Sequence, residues 1–117
     1  MPSEQINEFN KKDTIDVWLV SNKIQNIINE IDKDFWVPAV TNGQIGIFVK
    51  FVLDNDLIEK FNLDNLNSSE DLSSYINRVC KEIDKDLWVP GVENQQIGEF
   101  VQFCNKNNLW ERFREIF

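Results

Sequence analysis

Apolar residues recur at spacings of three and four along two long stretches of the chain, as in helices that bury one face. From about residue 16 to residue 31 they are Val17, Val20, Ile24, Ile27, Ile28 and Ile31. From about residue 69 to residue 85 they are Leu72, Ile76, Val79, Cys80 and Ile83. No useful length of chain alternates apolar and polar residues as a half-buried strand does. The pattern therefore predicts an all-α protein.

The helical pattern occurs twice because the sequence is repeated. The motif DKDFWVP at residues 32–38 returns 52 residues later as DKDLWVP, and residues 31–61 and 83–113 are identical at 19 of 31 positions. One unit of about 50 residues buries its apolar face poorly, whereas two units can share a core. We expect two tandem helical repeats packed into one compact helical domain, with approximate two-fold or stacked solenoid symmetry. The predicted parts are an N-terminal lead-in (1–15), repeat 1 (16–61), a linker (62–67), repeat 2 (68–113) and a C-terminal helix end (114–117).

The ends of the long helices carry capping and breaking signals. Asp13 or Asp16 is predicted to cap the first long helix, and Ser68 the second. Each long helix must end before the proline of the motif, Pro38 or Pro90, because proline cannot continue a helix. The residues before each proline form a connector with large apolar side chains.

We predict that the first connector folds back and closes the end of the core with Phe35, Trp36 and Val37. Trp88 has the same place in the second repeat. On this interpretation, replacing either tryptophan by alanine costs ~3–5 kcal/mol of stability. A ligand-stacking pair of tryptophans is the alternative, and it is less favoured because a repeated local motif is usually a folding device.

A second helix follows each connector. Asn42 and Asn94 are shared by the two copies and are predicted as the N-caps of these helices. Gly46 and Gly98 are also shared and lie in the first helical turn, where glycine is unfavourable. We attribute them to a close approach of the tryptophan connector.

Composition and charge limit the classes of partner. The chain is 42% apolar with nine Phe and four Trp, which is enough for a real core. Its 20 acidic and 12 basic residues give a net charge of −8. Such a chain is repelled by nucleic acid and by anionic membranes and attracted by basic proteins. We therefore expect no direct nucleic-acid binding and no membrane association.

The cysteines and the N-terminal sequence point to a cytoplasmic protein. The N-terminal residues lack a basic segment followed by an apolar run, so no signal peptide is expected. No stretch approaches the roughly 18 apolar residues of a membrane span. Cys80 and Cys104 replace Ile28 and Val52 of the first copy. Two reduced, buried thiols are thus favoured over a disulfide.

Few residues suggest catalysis. The chain has no His, no nucleophile with a partner base and no metal-binding pattern. Asp32 with Asp34, and Asp84 with Asp86, could form acid–base or metal sites, but the glycine of a calcium loop is absent. We favour a structural role, in which Asp34 or Asp86 hydrogen-bonds the turn after the helix. No enzymatic activity and no cofactor are predicted.

The predicted function is binding of a basic protein, most simply as a stoichiometric inhibitor of a toxin such as a nuclease. In composition the chain is similar to bacterial immunity proteins and antitoxins, although it carries no motif of a particular immunity family. The residues expected to contact the partner are Asp34, Asp86, Glu93, Glu99 and Trp110, as carboxylates for basic side chains and one apolar contact.

Three other functions stay open at this point. A helical-repeat adaptor could bind a peptide in a groove between its helices. A nucleic-acid mimic would need carboxylates spaced like phosphates, which the interspersed Lys and Arg residues oppose. An enzyme would have to rely on Asp and Glu chemistry alone.

Overall fold

The structure of the protein is a computed structural model that describes residues 16–62 and 68–117. For Ser69 it describes the backbone alone. The described residues form six α-helices and one 3-10 turn, and they contain no strand. The all-α prediction is therefore confirmed. The helices are α1 (Val17–Ile31), α2 (Gln44–Asp54), α3 (Ile58–Phe61), α4 (Ser69–Ile83), α5 (Gln96–Lys106) and α6 (Trp110–Arg114), with the 3-10 turn at Val40–Asn42 before α2.

Polar side chains cap the two long helices as the sequence predicts. The backbone N–H of Leu19 donates to Asp16 Oδ1 (3.1 Å) at the start of α1. The N–H of Asp71 donates to Ser68 Oγ (3.1 Å) at the start of α4. The prediction of Asp16 and Ser68 as N-caps is confirmed, and the alternative cap Asp13 lies outside the described residues. The second long helix ends at Ile83, two residues earlier than predicted.

The predicted caps of the next helices are wrong. The residue before α2 is Gly43 and the residue before α5 is Gln95, both with a left-handed backbone (φ 72° and 67°) and neither with a side-chain capping bond. Asn42 lies one position earlier, and its Oδ1 accepts a hydrogen bond from the N–H of Gln44 (3.3 Å). Asn94 likewise precedes the cap position, so asparagine is not the N-cap of either helix.

Buried serines of the long helices supply the missing acceptors instead. Ser21 Oγ accepts from the N–H of Gly46 (3.0 Å), and Ser73 Oγ accepts from the N–H of Gly98 (2.8 Å). Each glycine is the third residue of its helix, where the backbone N–H has no acceptor within the helix. Each serine thus caps a helix that begins more than 20 residues later in the chain, from the side of the core.

The same contact explains the glycine of α2. A Cβ atom at Gly46 would lie 2.8 Å from Ser21 Oγ and 2.9 Å from the carbonyl oxygen of Val17. The close neighbour is therefore α1 and not the tryptophan connector, which corrects the prediction. A glycine is needed there because the two helix backbones approach each other closely.

The core lies between the long helices and the helices that follow them. Most of the predicted inward positions are buried, but Ile31 and Ile83 are exposed. Each is the last residue of its helix. The largest fully buried side chains are Phe48, Phe61, Phe100 and Phe113. None of the helices in the described parts of the chain is long and apolar enough to cross a membrane.

Specific contacts join the two halves of the chain into one compact globule. The rings of Phe35 and Phe103 lie 4.3 Å apart. Asn105 Nδ2 donates to the carbonyl oxygen of Phe61 (3.1 Å). Arg112 Nη2 lies 3.0 Å from Glu30 Oε1. These contacts place the first connector beside α5 of the second half.

Candidate partner-binding clefts

The tryptophans of the two connectors lie on the surface. Trp36 is 62% exposed and Trp88 is 51% exposed, whereas their neighbours Val37 and Val89 are buried. Successive side chains of an extended segment point to opposite sides, so burying the valine turns the preceding tryptophan outward. The prediction that these tryptophans close the core is wrong. Since at least half of each ring is already in water, we expect its removal to cost about 1 kcal/mol.

Both tryptophans line one cleft of about 600 Å³ between the two halves of the chain. This volume is within the range of sites that take small molecules or short peptide segments. The first half contributes Trp36, Ala39, Thr41 and Asn42; the second half contributes Asn77, Lys81, Trp88, Val89, Gly91, Val92, Glu93, Asn94 and Gln96.

The lining of this large cleft combines apolar and hydrogen-bonding surface. The two indole rings offer flat apolar faces. Asn42, Asn77 and Gln96 add side-chain amides, each of which has both a donor and an acceptor. A peptide backbone presents the complementary groups, one N–H and one C=O for each residue. The large cleft therefore has the chemistry to hold an extended segment of another protein.

A smaller, acidic cleft of about 290 Å³ shares Trp36 and Gln96 with the large cleft. Its other lining residues are Asp32, Asp34, Phe35 and Glu99, so three acidic residues line it together with the indole-bearing Trp36. A cation is attracted both by carboxylates and by the face of a tryptophan ring. This small cleft is thus suited to a Lys or Arg side chain.

The turn after each long helix positions these carboxylates. Asp32 Oδ1 accepts a hydrogen bond from the N–H of Asp34 (3.0 Å), and Asp84 Oδ1 accepts one from the N–H of Asp86 (3.0 Å). The side chain of the first aspartate of each pair accepts the hydrogen bond of the turn, whereas the second aspartate, Asp34 or Asp86, was predicted to do so. Asp34 therefore contributes its N–H to the turn and also lines the small cleft.

The structure separates the predicted contact residues into three groups. Asp34 and Glu99 line the small cleft, and Glu93 lines the large one. Asp86 is exposed but lines neither. Trp110 is only 5% exposed, and its Nε1 donates to Asn105 Oδ1 (2.7 Å) inside the protein. Its ring therefore belongs to the core and offers no contact surface.

The two exposed tryptophans of the large cleft, Trp36 and Trp88, were predicted from the sequence to lie in the core. A usable signal was present, because Trp36 stands between Phe35 and Val37 in a segment that proline keeps extended. Only one of the two sides of such a segment can face the core. That signal does not say which side, so the pair Trp36 and Trp88 could have been found only as one of two alternatives.

Burial disfavours ionisation of the two cysteine thiols. Burial raises the pKa of the Cys80 thiol to about 12 and that of Cys104 well above its ordinary value. Both cysteines are buried and not disulfide-bonded, as predicted. Across residues 16–62 and 68–117, no cluster of three or more His, Cys, Asp or Glu residues could hold a metal ion.

No protein-family model, curated protein or solved structure matches this chain. The two adjoining clefts are therefore the features that bear most directly on function. They combine two exposed indole rings, a set of amides and an acidic edge on one side of the molecule.

Proposed function

We propose that this protein is a binding module, without a catalytic step of its own, that takes a segment of a partner protein into the cleft between Trp36 and Trp88. The observation that carries the proposal is the exposure of both tryptophans on one cleft. A few residues provide most of the binding energy of a protein interface, and tryptophan is enriched among them. Exposed aromatic side chains that line a groove are also a common means of holding an extended peptide.

The acidic edge of the clefts supports a basic partner. Asp34 and Glu99 line the small cleft together with Trp36, and Glu93 lines the large cleft together with both tryptophans. The net charge of −8 favours the approach of a positively charged protein. A Lys or Arg side chain of that partner then lies against the indole of Trp36, with the carboxylates of the small cleft around it.

In its most specific form, the proposal is an inhibitor of the immunity-protein or antitoxin type. Such a protein binds one molecule of a basic toxin, for example a nuclease, in the cytoplasm of the bacterium that makes both. The acidic clefts would cover the basic surface with which a nuclease binds the phosphate backbone of its nucleic-acid substrate. Electrostatic attraction makes capture of the toxin fast.

The second candidate is a helical-repeat adaptor for peptides, and the size and lining of the large cleft favour it. Its amides suit an extended backbone, and its volume of about 600 Å³ suits a short segment more than a folded surface. An adaptor binds an isolated peptide about as tightly as the parent protein. An inhibitor needs the folded toxin, because its interface is larger than the cleft.

We also infer that the two halves are copies of one helical unit, so that the clefts arise from the repeat. Helices α1 and α4 each have 15 residues, and α2 and α5 each have 11. The serine–glycine hydrogen bonds of the two halves both span 25 residues. Superposition of residues 31–61 on 83–113 in an experimental structure is the direct test of this inference.

The functional proposal is tested with the tryptophans. The chain is used to capture its partner from the source cell, and the dissociation constant of the identified partner is then measured by calorimetry. Trp36→Ala and Trp88→Ala should each weaken binding by about 30-fold or more, as expected for central interface residues. Trp18→Ala is the matched control, since Trp18 is exposed but lies outside both clefts.

The charge reversals Glu93→Lys and Glu99→Lys, made together, test the electrostatic part. They should slow association, and added salt should slow it in the wild type. Glu59→Lys with Glu115→Lys is the control, because these two exposed residues line neither cleft. If the partner is acidic, or if neither salt nor the charge reversals change binding, the inhibitor proposal is ruled out and the adaptor is favoured. If neither tryptophan substitution weakens binding, the clefts are ruled out as the binding site.

A further inference from the structure

The indole N–H groups of the large cleft are available to a ligand. Among residues 16–62 and 68–117, none accepts a hydrogen bond from the indole N–H of Trp36 or Trp88, whereas Trp110 donates its own to Asn105 Oδ1 at 2.7 Å. The indole N–H is a donor and never an acceptor. The large cleft thus adds two donor-only groups to its side-chain amides, which favours a ligand rich in hydrogen-bond acceptors.

A proline-rich segment in the polyproline II conformation is a ligand of this kind. Proline has no backbone N–H, so a run of prolines presents carbonyl oxygens without the matching donors. The polyproline II helix has no internal hydrogen bonds, which leaves these oxygens open to an indole N–H or a side-chain amide. Its proline rings are apolar, and grooves lined by aromatic side chains bind such segments. The exposed rings of Trp36 and Trp88 give the large cleft that lining.

The other common modes of peptide binding fit the large cleft less well. Addition of a strand needs the edge of a sheet, and the described residues contain no strand. A bound helix satisfies its own backbone groups. It would therefore leave the amides and indole N–H groups of the cleft without partners, which is costly when they are buried.

The charged residues place a basic side chain at the Trp36 end of the segment. The large cleft is lined by one basic residue, Lys81, and one acidic residue, Glu93, so its charges balance. The small cleft shares Trp36 with the large one, and its lining contains three acidic residues and no basic one. A Lys or Arg side chain next to the prolines therefore meets an excess of negative charge there.

We propose that the segment bound by the two clefts is proline-rich, adopts the polyproline II conformation and carries a Lys or Arg residue beside its prolines. The prolines pack on Trp36 and Trp88 in the large cleft, and the basic side chain enters the small cleft. Because free proline-rich peptides already adopt this conformation, little conformational entropy is lost on binding. The inference rests on the proposed function and adds to it the chemical class of the bound segment.

Three synthetic peptides with blocked ends test the proposal on the full chain. The first has eight prolines with an arginine at each end, the second has alternating glycine and serine in place of the prolines, and the third has glutamates in place of the arginines. Calorimetry gives the dissociation constants, and tryptophan fluorescence of the protein follows binding because the peptides contain no aromatic residue. The first peptide should bind at least about 10-fold more tightly than either of the others, because it is preorganised and oppositely charged.

Variants of the protein separate the two parts of the site. Trp36→Ala and Trp88→Ala should each weaken binding of the first peptide by at least about 10-fold, whereas the control Trp18→Ala, outside both clefts, should not. Asp34→Asn together with Glu99→Gln should remove the preference for arginine over glutamate. The same double variant should bind an uncharged peptide of eight prolines as tightly as the wild type does.

The proposal is overturned if the first peptide does not bind up to about 1 mM, if the glycine–serine peptide binds equally well, or if neither tryptophan substitution weakens binding. The proline peptides and the partner captured from the source cell give independent answers. If the proline peptides fail but the captured partner still loses affinity in the tryptophan variants, the proline class is wrong and the proposed function stands. If the captured partner is also insensitive to both substitutions, the proposed function fails as well.

Discussion

Replacing Ser73 with alanine removes the one side-chain cap that the described residues provide at the start of α5. The hydroxyl of Ser73 accepts the N–H of Gly98 at 2.8 Å, and both residues are buried. Gln95, at the N-cap position, makes no side-chain hydrogen bond to the helix. Without the hydroxyl, a buried N–H loses its acceptor in a place closed to water.

The expected loss follows from these contacts. An unsatisfied buried N–H costs about 1–3 kcal/mol. Alanine is a better helix former than serine, so the substitution in α4 also stabilises the helix by about 0.5 kcal/mol. The net decrease in the free energy of unfolding is therefore about 0.5–2.5 kcal/mol. For a chain of 117 residues, this lowers the melting temperature by roughly 2–10 °C.

Thermal and urea unfolding followed by circular dichroism measure this difference. Ser74→Ala is the matched control, because Ser74 is the next residue of the same helix and is exposed. Ser21→Ala should behave like Ser73→Ala, since its hydroxyl accepts the N–H of Gly46 at 3.0 Å. The two losses should add in the double variant because the two bonds share no partner. Equal melting temperatures of Ser73→Ala and Ser74→Ala would refute the role of the buried Ser73 as a cap of α5.

A double-mutant cycle that combines Gly46→Ala with Ser21→Ala tests the close contact between α1 and α2 from the side of α2. The new methyl group would lie 2.8 Å from Ser21 Oγ and 2.9 Å from the carbonyl oxygen of Val17. Such overpacking typically costs about 1–3 kcal/mol. Ser21→Ala relieves the first close contact and not the second. The double variant should therefore lose less stability than the sum of the single variants, but more than Ser21→Ala alone.

Three further predictions concern the core and its caps. Trp110→Phe should lower stability by about 1 kcal/mol in urea unfolding, because the hydrogen bond from its Nε1 to Asn105 is lost. Asp16→Ala should cost a similar amount through loss of the α1 cap, with no change in partner binding. The raised pKa of Cys80 makes stability fall between about pH 9, where the thiol ionises in the unfolded chain, and about pH 12, where it ionises in the folded one. Replacing Cys80 and Cys104 with Ile and Val, respectively, should reduce that loss in urea titrations at pH 7 and pH 10.

Much of the fold could be predicted from the sequence because helix formation depends on local spacing. The apolar periodicity located α1 and α4, and polar residues at their starts predicted Ser68 as one cap and Asp13 or Asp16 as the other. Proline explained why each long helix must end before the connector. The negative charge and the absence of His also follow from composition alone.

The tertiary structure decided which side of each connector faces the core. An extended segment with apolar residues on both sides has two equivalent ways to pack, and only the surrounding helices select one. Here they bury Val37 and expose Trp36, so that Trp36 and Trp88 meet on one cleft. Trp110, by contrast, is buried, and its indole N–H donates a hydrogen bond to Asn105 Oδ1.

The helix caps show the same division between local and distant causes. Asp16 and Ser68 are three residues from the N–H groups that they accept, so the sequence reveals them. Ser21 and Ser73 are 25 residues from theirs, on the apolar faces of other helices. A local sequence pattern does not show that two residues so far apart along the chain lie close together in space. Only the packing of α1 on α2, and of α4 on α5, brings each hydroxyl to the N–H that needs it.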